Sequence, residues 1–217
     1  MKSIFVTPFN YSKLLSHADV EALIASYILA GLIPITYDTI NPLVNFLASE
    51  DVKFTEENCI IQCAWHSSAI VRAAKTFYVT YTISVNPASD SACQFACTIF
   101  NNQFFPSVSS ATILLGTPNG NYVADVMATW LAHEMGEAIT DAGVGWMTTT
   151  GEENADLCAY NMLDRYTVPS PVGLINNANA KVGSRNYLIQ SNWVNIGGGC
   201  CAMSFPFPQG CPYSTCC

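Results

Sequence analysis

The residues best suited to chemistry lie between positions 130 and 141, where a histidine and several carboxylates recur at helical spacing. His133, Glu137 and Asp141 are each four residues apart, which on a helix places three side chains along one face. Glu134 is offset by one residue, the position of the proton-accepting carboxylate in the metallopeptidase motif His-Glu-x-x-His. The spacing therefore predicts a zincin-like polar site on a helix, with Glu134 as the catalytic base.

This motif departs from the peptidase pattern because Glu137 stands where the second histidine is expected. A ligand set rich in carboxylates is harder and more negative than a histidine set. We expect a divalent cation, with Zn²⁺ as the first candidate and Mn²⁺ or Ca²⁺ as alternatives. A third ligand must come from elsewhere, and the acidic segment at residues 152–156 supplies the best candidates; Asp141 could instead be the third ligand or a partner of one. The predicted metal ligands are His133, Glu137, Glu153, Asp156 and Asp141.

A competing interpretation places the glutamates on the exposed side of a helix, with His133 as a half-buried histidine. The surrounding positions are mostly apolar, and only 11% of the chain is charged. Since buried carboxylates need a cation or hydrogen bonds, the sequence favours a polar functional site and leaves its catalytic competence open. His66, beside Trp65, could reach the site, although a surface or loop histidine is the more common case.

Composition limits the classes of function. The 217 residues carry a formal net charge of −8 and have no cluster of Lys or Arg, which disfavours nucleic acid as a partner. The ten cysteines include two Cys-x3-Cys pairs and no Cys-x2-Cys, a pattern that favours disulfides over a zinc ribbon. We therefore expect an oxidising compartment, one domain at residues 1–199 and a disulfide-rich tail at residues 200–217.

No targeting or membrane segment is expected. The apolar run near the start of the chain is too short for a signal peptide, and the most apolar stretch, residues 22–35, is too short to cross a bilayer. An extracellular location and a particle surface both remain open.

Apolar periodicity predicts a helix from Ser16 to about Gly31 and a long helix from about Asn121 to residues 141–143. Further helices are predicted at residues 42–48 and 152–164. Strands are predicted at residues 3–8, 77–85, 111–115 and 187–193, with a turn at residues 117–120.

Several motifs occur together in one order. They are Cys-Ile-Ile-Gln-Cys-Ala-Trp at 59–65, Thr-Pro-Asn-Gly at 117–120, Ala-His-Glu-Met-Gly-Glu-Ala-Ile-Thr-Asp at 132–141, Trp146, Glu-Asn-Ala-Asp-Leu-Cys at 153–158, and Arg-Asn-Tyr-Leu-Ile-Gln at 185–190 with Trp193. In this combination the chain resembles the phosphate-induced, or EXORDIUM-like, protein family over about residues 55–200. The chain differs from that pattern in having no evident leader, in Phe100 where a histidine is expected, and in its cysteine-rich tail.

The resemblance implies a secreted protein of the plant cell wall and apoplast, or a microbial relative, and leaves the reaction open. It supports His133, Glu134, Glu137, Glu153 and Asp156 as one motif set and favours Glu153 over Glu152.

The sequence thus predicts a single α+β zincin-like domain with a mixed sheet packed on an active-site helix. The predicted function is metal-dependent hydrolysis, of a peptide bond first, with a peptide or a cell-surface or wall polymer as partner. The alternative is a non-catalytic secreted or particle-surface protein that keeps the site as a structural cluster, and a glycan-binding module is a third alternative. No membrane association is expected, and the sequence does not predict the oligomeric state.

Overall fold

The structure is a computed structural model that describes residues 14–39, 41–55, 59, 62–89, 91–97, 117–141, 145–159, 161–162, 165–169, 175–194 and 199–201. Within these residues the fold is α+β, with a mixed sheet packed on helices, as the sequence predicts. Its zincin-like character stays a prediction.

The central sheet has three strands in the order β2 (Leu43–Leu47), β5 (Thr76–Ser84), β4 (Ala64–Arg72). Strands β4 and β5 form an antiparallel hairpin in which Ala64 pairs with Ser84 and Arg72 with Thr76, and β2 runs parallel to β5. Every residue from Tyr81 to Ser84 is buried, which requires cover on both faces of the sheet at this end.

Two long helices pack on the sheet. Helix α1 (His17–Leu29) contacts β4, and helix α3 (Tyr122–Thr140) contacts β4 and β5. Ser16 and Asp19 form a capping box at the start of α1, so the backbone donors of its first turn are satisfied. The Asn121 side chain accepts a hydrogen bond from the Ala124 N–H and caps α3.

A single core joins these elements. Helix α1 contributes Val20, Leu23, Ile24 and Ile28, and the sheet contributes Trp65, Ala69, Val71, Val79, Tyr81 and Ile83. Helix α3 adds Val126 and Trp130, so its early turns are fixed by apolar packing. The polar residues of its later turns lie just beyond this contact.

The remaining elements are short. They are β1 (Leu14–Leu15), β3 (Lys53–Phe54), α2 (Ser91–Ala96), a 3₁₀ turn (Asp156–Cys158), β6 (Tyr166–Pro169), β7 (Ile175–Ala178), β8 (Ala180–Val182), β9 (Arg185–Tyr187), β10 (Asn192–Val194) and β11 (Gly199–Cys201). Four two-stranded sheets pair β1 with β3, β6 with β7, β8 with β9, and β10 with β11.

Three disulfides connect described residues: Cys59–Cys93, Cys63–Cys97 and Cys158–Cys200. The two Cys-x3-Cys pairs are thus bonded to each other, and Cys201 is also disulfide-bonded. These bridges confirm the disulfide prediction and indicate an oxidising, extracellular-type environment. Among the described helices, none is both long and apolar enough to cross a membrane.

Several predicted elements are confirmed. Helices α1 and α3, strand β5 and the turn at residues 117–120, where the Gly120 N–H bonds the Thr117 carbonyl at 2.9 Å, lie where the sequence places them. The predicted strands at residues 3–8 and 111–115 lie outside the described residues, as does the tail beyond residue 201.

Three predictions are wrong. The helix predicted at residues 42–48 is wrong, because residues 43–47 form strand β2, which pairs with strand β5. Within the predicted helix at 152–164, the described residues 152–159 and 161–162 contain only a 3₁₀ turn at Asp156–Cys158, since they are held by bonds to later segments, such as the Ser191 N–H to the Asn161 carbonyl. The predicted strand at 187–193 is divided between β9 and β10, because residues 188–191 bond to side chains and loops.

Candidate metal centre

The candidate site lies where helix α3, strand β4 and the segment at residues 151–159 meet around a cavity of about 460 Å³. The helix buries Glu134 and Glu137 to 5% and 3% exposure. The titratable side chains that line the cavity are those of His66, His133, Glu134, Glu137, Glu153 and Asp156. Among the described residues that line the cavity, none is a lysine or arginine.

His66 projects from strand β4 into a group of three carboxylates. Its Nδ1 atom lies 3.0 Å from Glu134 Oε2 and 3.6 Å from Glu137 Oε2. The other ring nitrogen, Nε2, lies 3.6 Å from Glu153 Oε1. The β4 histidine thus joins the helix to the 151–159 segment.

His133 occupies the opposite side of Glu137. Its Nε2 atom lies 3.2 Å from Glu137 Oε1, 3.6 Å from Asp156 Oδ1 and 3.9 Å from Glu134 Oε1. Glu137 Oε1 also accepts the Asp156 backbone N–H at 3.1 Å. The two oxygens of Glu137 therefore face different histidines.

Gln190 fixes the remaining nitrogen of His133. The Gln190 amide nitrogen lies 2.8 Å from His133 Nδ1 and 2.8 Å from the Ala155 carbonyl oxygen. Gln190 is only 1% exposed, so this contact is a buried hydrogen-bond network rather than a surface one.

Hydrogen bonds and a disulfide hold the segment that carries Glu153 and Asp156. The Trp193 N–H bonds the Asn154 carbonyl at 3.1 Å, and the Leu157 N–H bonds the Glu153 carbonyl at 3.2 Å. Cys158 is bridged to Cys200 at the start of the predicted tail. The short β10–β11 pair thus positions this acidic segment against α3.

Among the described residues, two groups of three side chains could hold a cation, and they share one residue. One group is His66, Glu137 and Glu153, and the other is His133, Glu137 and Asp156; in each, one ligand atom per residue lies within 4.8 Å of the others. In a tetrahedral site with ligands about 2.1 Å from the ion, ligand atoms are about 3.4 Å apart. Three distances fit this spacing: 3.6 Å from His66 Nε2 to Glu153 Oε1, 3.2 Å from His133 Nε2 to Glu137 Oε1 and 3.6 Å from His133 Nε2 to Asp156 Oδ1.

The other two acidic candidates have different surroundings. Asp141 accepts the Gly145 backbone N–H through Oδ1, and its nearby carboxyl group raises the pKa of Glu153; it belongs to neither ligand group. Glu152 is exposed and accepts bonds from Thr148 and Thr150. Of the two adjacent glutamates, Glu153 is therefore the one that reaches the cavity.

Burial and charge act in opposite directions on the histidines. Burial lowers the pKa of His133, but the Glu137 hydrogen bond and the charges of Glu134, Glu137 and Asp156 outweigh it and raise the pKa to about 9. The Gln190 N–H opposes this protonation, since a proton on Nδ1 would face a second donor. Burial also lowers the pKa of His66, and the Glu134 contact with the other carboxylate charges raises it overall.

Burial raises the pKa of two of the cavity carboxyl groups, those of Glu134 and Glu153. Burial raises the pKa of Glu134, against the opposing effect of the His66 hydrogen bond. Burial also raises the pKa of Glu153 to about 7, opposed by His66 and assisted by Glu137 and Asp141. Both shifts reflect negative charge placed in a site with little solvent.

The structure therefore brings His133, Glu134, Glu137, Glu153 and Asp156 together around the cavity, and leaves Asp141 outside both ligand groups. Glu153 faces His66, whereas Asp156 faces His133; ligation by either stays a prediction. The surface or loop interpretation of His66 is wrong, because it lies on strand β4 and its side chain is 15% exposed and contacts Glu134 in the cavity. Gln190 belongs to the motif at residues 185–190, but the sequence assigns it no role, and nothing in its local sequence marks it as a partner of His133.

Comparison with known proteins places the chain in a family. No curated protein and no solved structure matches it. A family model described as the phosphate-induced protein 1 conserved region matches residues 2–203. The order of motifs in the sequence and this match agree over most of the chain, and the chain belongs to the phosphate-induced protein 1 family.

Proposed function

We propose that this chain is a divalent-cation-dependent hydrolase that cleaves a peptide bond, with Glu134 as its base. One observation carries the proposal: buried carboxylates and two histidines meet in a cavity whose described lining includes no lysine or arginine. Carboxylates buried in this way need compensation by positive charge or by hydrogen bonds. A divalent cation supplies that charge and fits the donor spacing.

The donor set suits several cations. Zn²⁺ binds histidine and carboxylate ligands and is the first candidate, while the excess of carboxylate oxygens also suits Mn²⁺ or Ca²⁺. When bound, such a cation polarises a carbonyl group and makes water a better nucleophile.

Glu134 has the properties of a general base. Burial raises its pKa, which increases its affinity for a proton taken from water. As the water oxygen bonds to the carbonyl carbon, Glu134 accepts one proton from it. The same proton then passes to the leaving nitrogen as the carbon–nitrogen bond breaks, which restores the carboxylate.

The cavity also offers surface for a substrate. Trp130, Met147 and Ala159 line it together with the polar group, and Asp156 is 48% exposed at its edge. An apolar side chain of an extended peptide can pack against the first three residues. We propose an extracellular setting, in the cell wall or on a particle surface, with a peptide or a wall polymer as partner.

The test compares purified protein with the Glu134→Gln variant on a mixture of unstructured peptides, analysed by mass spectrometry. We expect cleavage by the native protein, loss of cleavage on chelation, recovery on adding Zn²⁺ or Mn²⁺, and no cleavage by the variant. Glu152→Gln is the matched control because that side chain is exposed and bonded to threonines. Cleavage that survives Glu134→Gln would contradict the proposal.

A second candidate is a non-catalytic protein that keeps the cluster for structure. The hydrogen bonds from Gln190 to His133 and from the Asp156 N–H to Glu137 favour it, because they satisfy buried groups without any substrate. In that case Glu134→Gln lowers the thermal stability and no peptide is cleaved by either protein.

A further inference from the structure

We infer that the histidine ligand of the cation is His66, in a set with Glu137 and Glu153, and that His133 is a positioning residue held by Gln190. The sequence motif points to His133 as the ligand. The inference rests on the proposed function, because it concerns the same site and assumes the cation that the proposed function places there. It is tested by spectroscopy, so it can fail separately from hydrolysis.

The first step is the orientation of Gln190. A carbonyl oxygen only accepts hydrogen bonds, and the Ala155 carbonyl lies 2.8 Å from the Gln190 side chain. The amide nitrogen, not the amide oxygen, must therefore face it. The second N–H of the same nitrogen is directed to His133 Nδ1 at 2.8 Å.

The second step is the tautomer of His133. When a cation in the site offsets the carboxylate charges, His133 is neutral, and a neutral imidazole that accepts at Nδ1 carries its proton on Nε2. That N–H faces Glu137 Oε1 at 3.2 Å and donates to it. The nitrogen therefore has no lone pair for a cation, and the contacts of His133 with Glu137 and Gln190 are complete without one.

The third step is the opposite tautomer of His66. Glu134 Oε2 lies 3.0 Å from His66 Nδ1, and a carboxylate can only accept, so Nδ1 carries the proton. The lone pair is left on Nε2, which faces Glu153 Oε1 at 3.6 Å. A histidine that donates one N–H to a carboxylate and ligates through its other nitrogen is the common arrangement at metal sites.

The fourth step assigns the two oxygens of Glu137. Oε1 accepts from His133 Nε2 and from the Asp156 N–H. Oε2 lies 3.6 Å from the protonated Nδ1 of His66, and it is the oxygen left for the cation in the group of His66, Glu137 and Glu153, whose ligand atoms lie within 4.8 Å of one another. Three protein ligands then surround one ion and leave a position for substrate or water, as in catalytic rather than structural sites.

The experiment loads the metal-free protein with one equivalent of Cu²⁺, which binds nitrogen and oxygen ligands tightly. Pulsed electron paramagnetic resonance then detects the remote nitrogen of a coordinated imidazole. We expect that signal in the native protein and in His133→Gln, and its absence in His66→Gln. We also expect His133→Gln to weaken Cu²⁺ affinity by about 10- to 100-fold, the range for residues that orient a ligand.

Loss of the imidazole signal in His133→Gln with retention in His66→Gln would overturn the inference, as would a native spectrum with two coordinated imidazoles. Thermal melting of both variants controls for misfolding. If either variant does not fold, nitrogen-15 NMR of histidine-labelled, Zn²⁺-loaded native protein decides: we expect the proton on Nε2 of His133 and on Nδ1 of His66. The reverse tautomers would contradict us.

The outcomes separate the two proposals. The expected spectra without any peptide cleavage would leave the ligand assignment standing and remove the hydrolase proposal. Cleavage that depends on Glu134, together with coordination by His133, would remove only the ligand assignment.

Discussion

Glu134 of helix α3 and His66 of strand β4 are 68 positions apart in the sequence, yet Glu134 Oε2 lies 3.0 Å from His66 Nδ1. The contact exists because α3 packs on the β4–β5 hairpin through the apolar side chains of its early turns. The later turns then present their polar side chains to the start of β4. The candidate site is thus the polar end of an interface whose other end is the core.

The two adjacent glutamates provide a matched pair of variants. Glu153 faces His66, whereas Glu152 bonds Thr148 and Thr150 at the surface. We expect Glu153→Gln to weaken binding of Zn²⁺ or Mn²⁺ by more than the roughly 10- to 100-fold typical of an orienting residue, and Glu152→Gln to leave it unchanged. Isothermal titration calorimetry measures both, and equal effects of the two changes would exclude Glu153 as a ligand.

The Cys158–Cys200 bridge should stabilise both the fold and the site. It joins residues separated by 42 positions, and in the chain-entropy model a loop of this length contributes about 4 kcal/mol. We expect replacement of both cysteines by serine to lower the free energy of unfolding by roughly 2–4 kcal/mol. Urea denaturation measures it.

The same variant should bind cations more weakly, because Glu153 and Asp156 lie in the short segment just before Cys158, which the bridge holds in place. Unchanged affinity in the serine variant would show that backbone hydrogen bonds alone position this segment.

Stability of the chelated protein should fall as pH rises. The folded state raises the pKa of Glu153 from 4.5 to about 7 and that of His133 from 6.5 to about 9. Both groups thus bind protons more tightly in the folded state than in the unfolded state. Each therefore stabilises the fold fully at a pH below its unfolded pKa, and this stabilisation is lost as the pH rises through its folded pKa. We expect the melting temperature to decrease between about pH 4.5 and pH 9.

A bound cation competes with these protons and should reverse much of the decrease above about pH 7. Differential scanning calorimetry with chelator and with Zn²⁺ gives both curves. A chelated protein that becomes more stable across this range would show that the carboxylates are not destabilised by burial.

Gly145 lies at a close approach of two backbone segments. A β-carbon built there would lie 2.1 Å from the Thr140 carbonyl oxygen, so the loop that donates to Asp141 must shift. We expect Gly145→Ala to lower the free energy of unfolding by about 1–3 kcal/mol. Gly199→Ala is the control, since nothing lies within 4 Å of its added carbon; a similar loss in both variants would refute the steric explanation.

The two long helices and strand β5 could be predicted because local signals specify them. Ser16 and Asn121 are capping residues placed directly before apolar periodic segments, and residues 77–85 are rich in β-branched and aromatic side chains. Residues 43–47 carry no such signal and become a strand only by pairing with β5. Tertiary pairing therefore overrides local preference there.

The candidate site also combines residues that local sequence reveals with residues that only the tertiary fold brings together. His133, Glu134 and Glu137 could be found because they share one helix, and the fixed helical repeat reveals their common face. His66 and Gln190 reach the site through the β4–β5 pairing and through the fold of residues 185–194, which local sequence does not determine. The motif on one helix thus identified His133, Glu134 and Glu137, whereas the sequence left His66 as one possibility and gave Gln190 no role.

The most direct test of the account is cation binding by Glu137→Gln, because Glu137 belongs to both groups that could hold an ion. Calorimetric titration of metal-free protein with Zn²⁺ and Mn²⁺ should give one ion per native chain and no binding to the folded variant. Absence of binding to the native protein, or equal binding by the variant, would contradict the account.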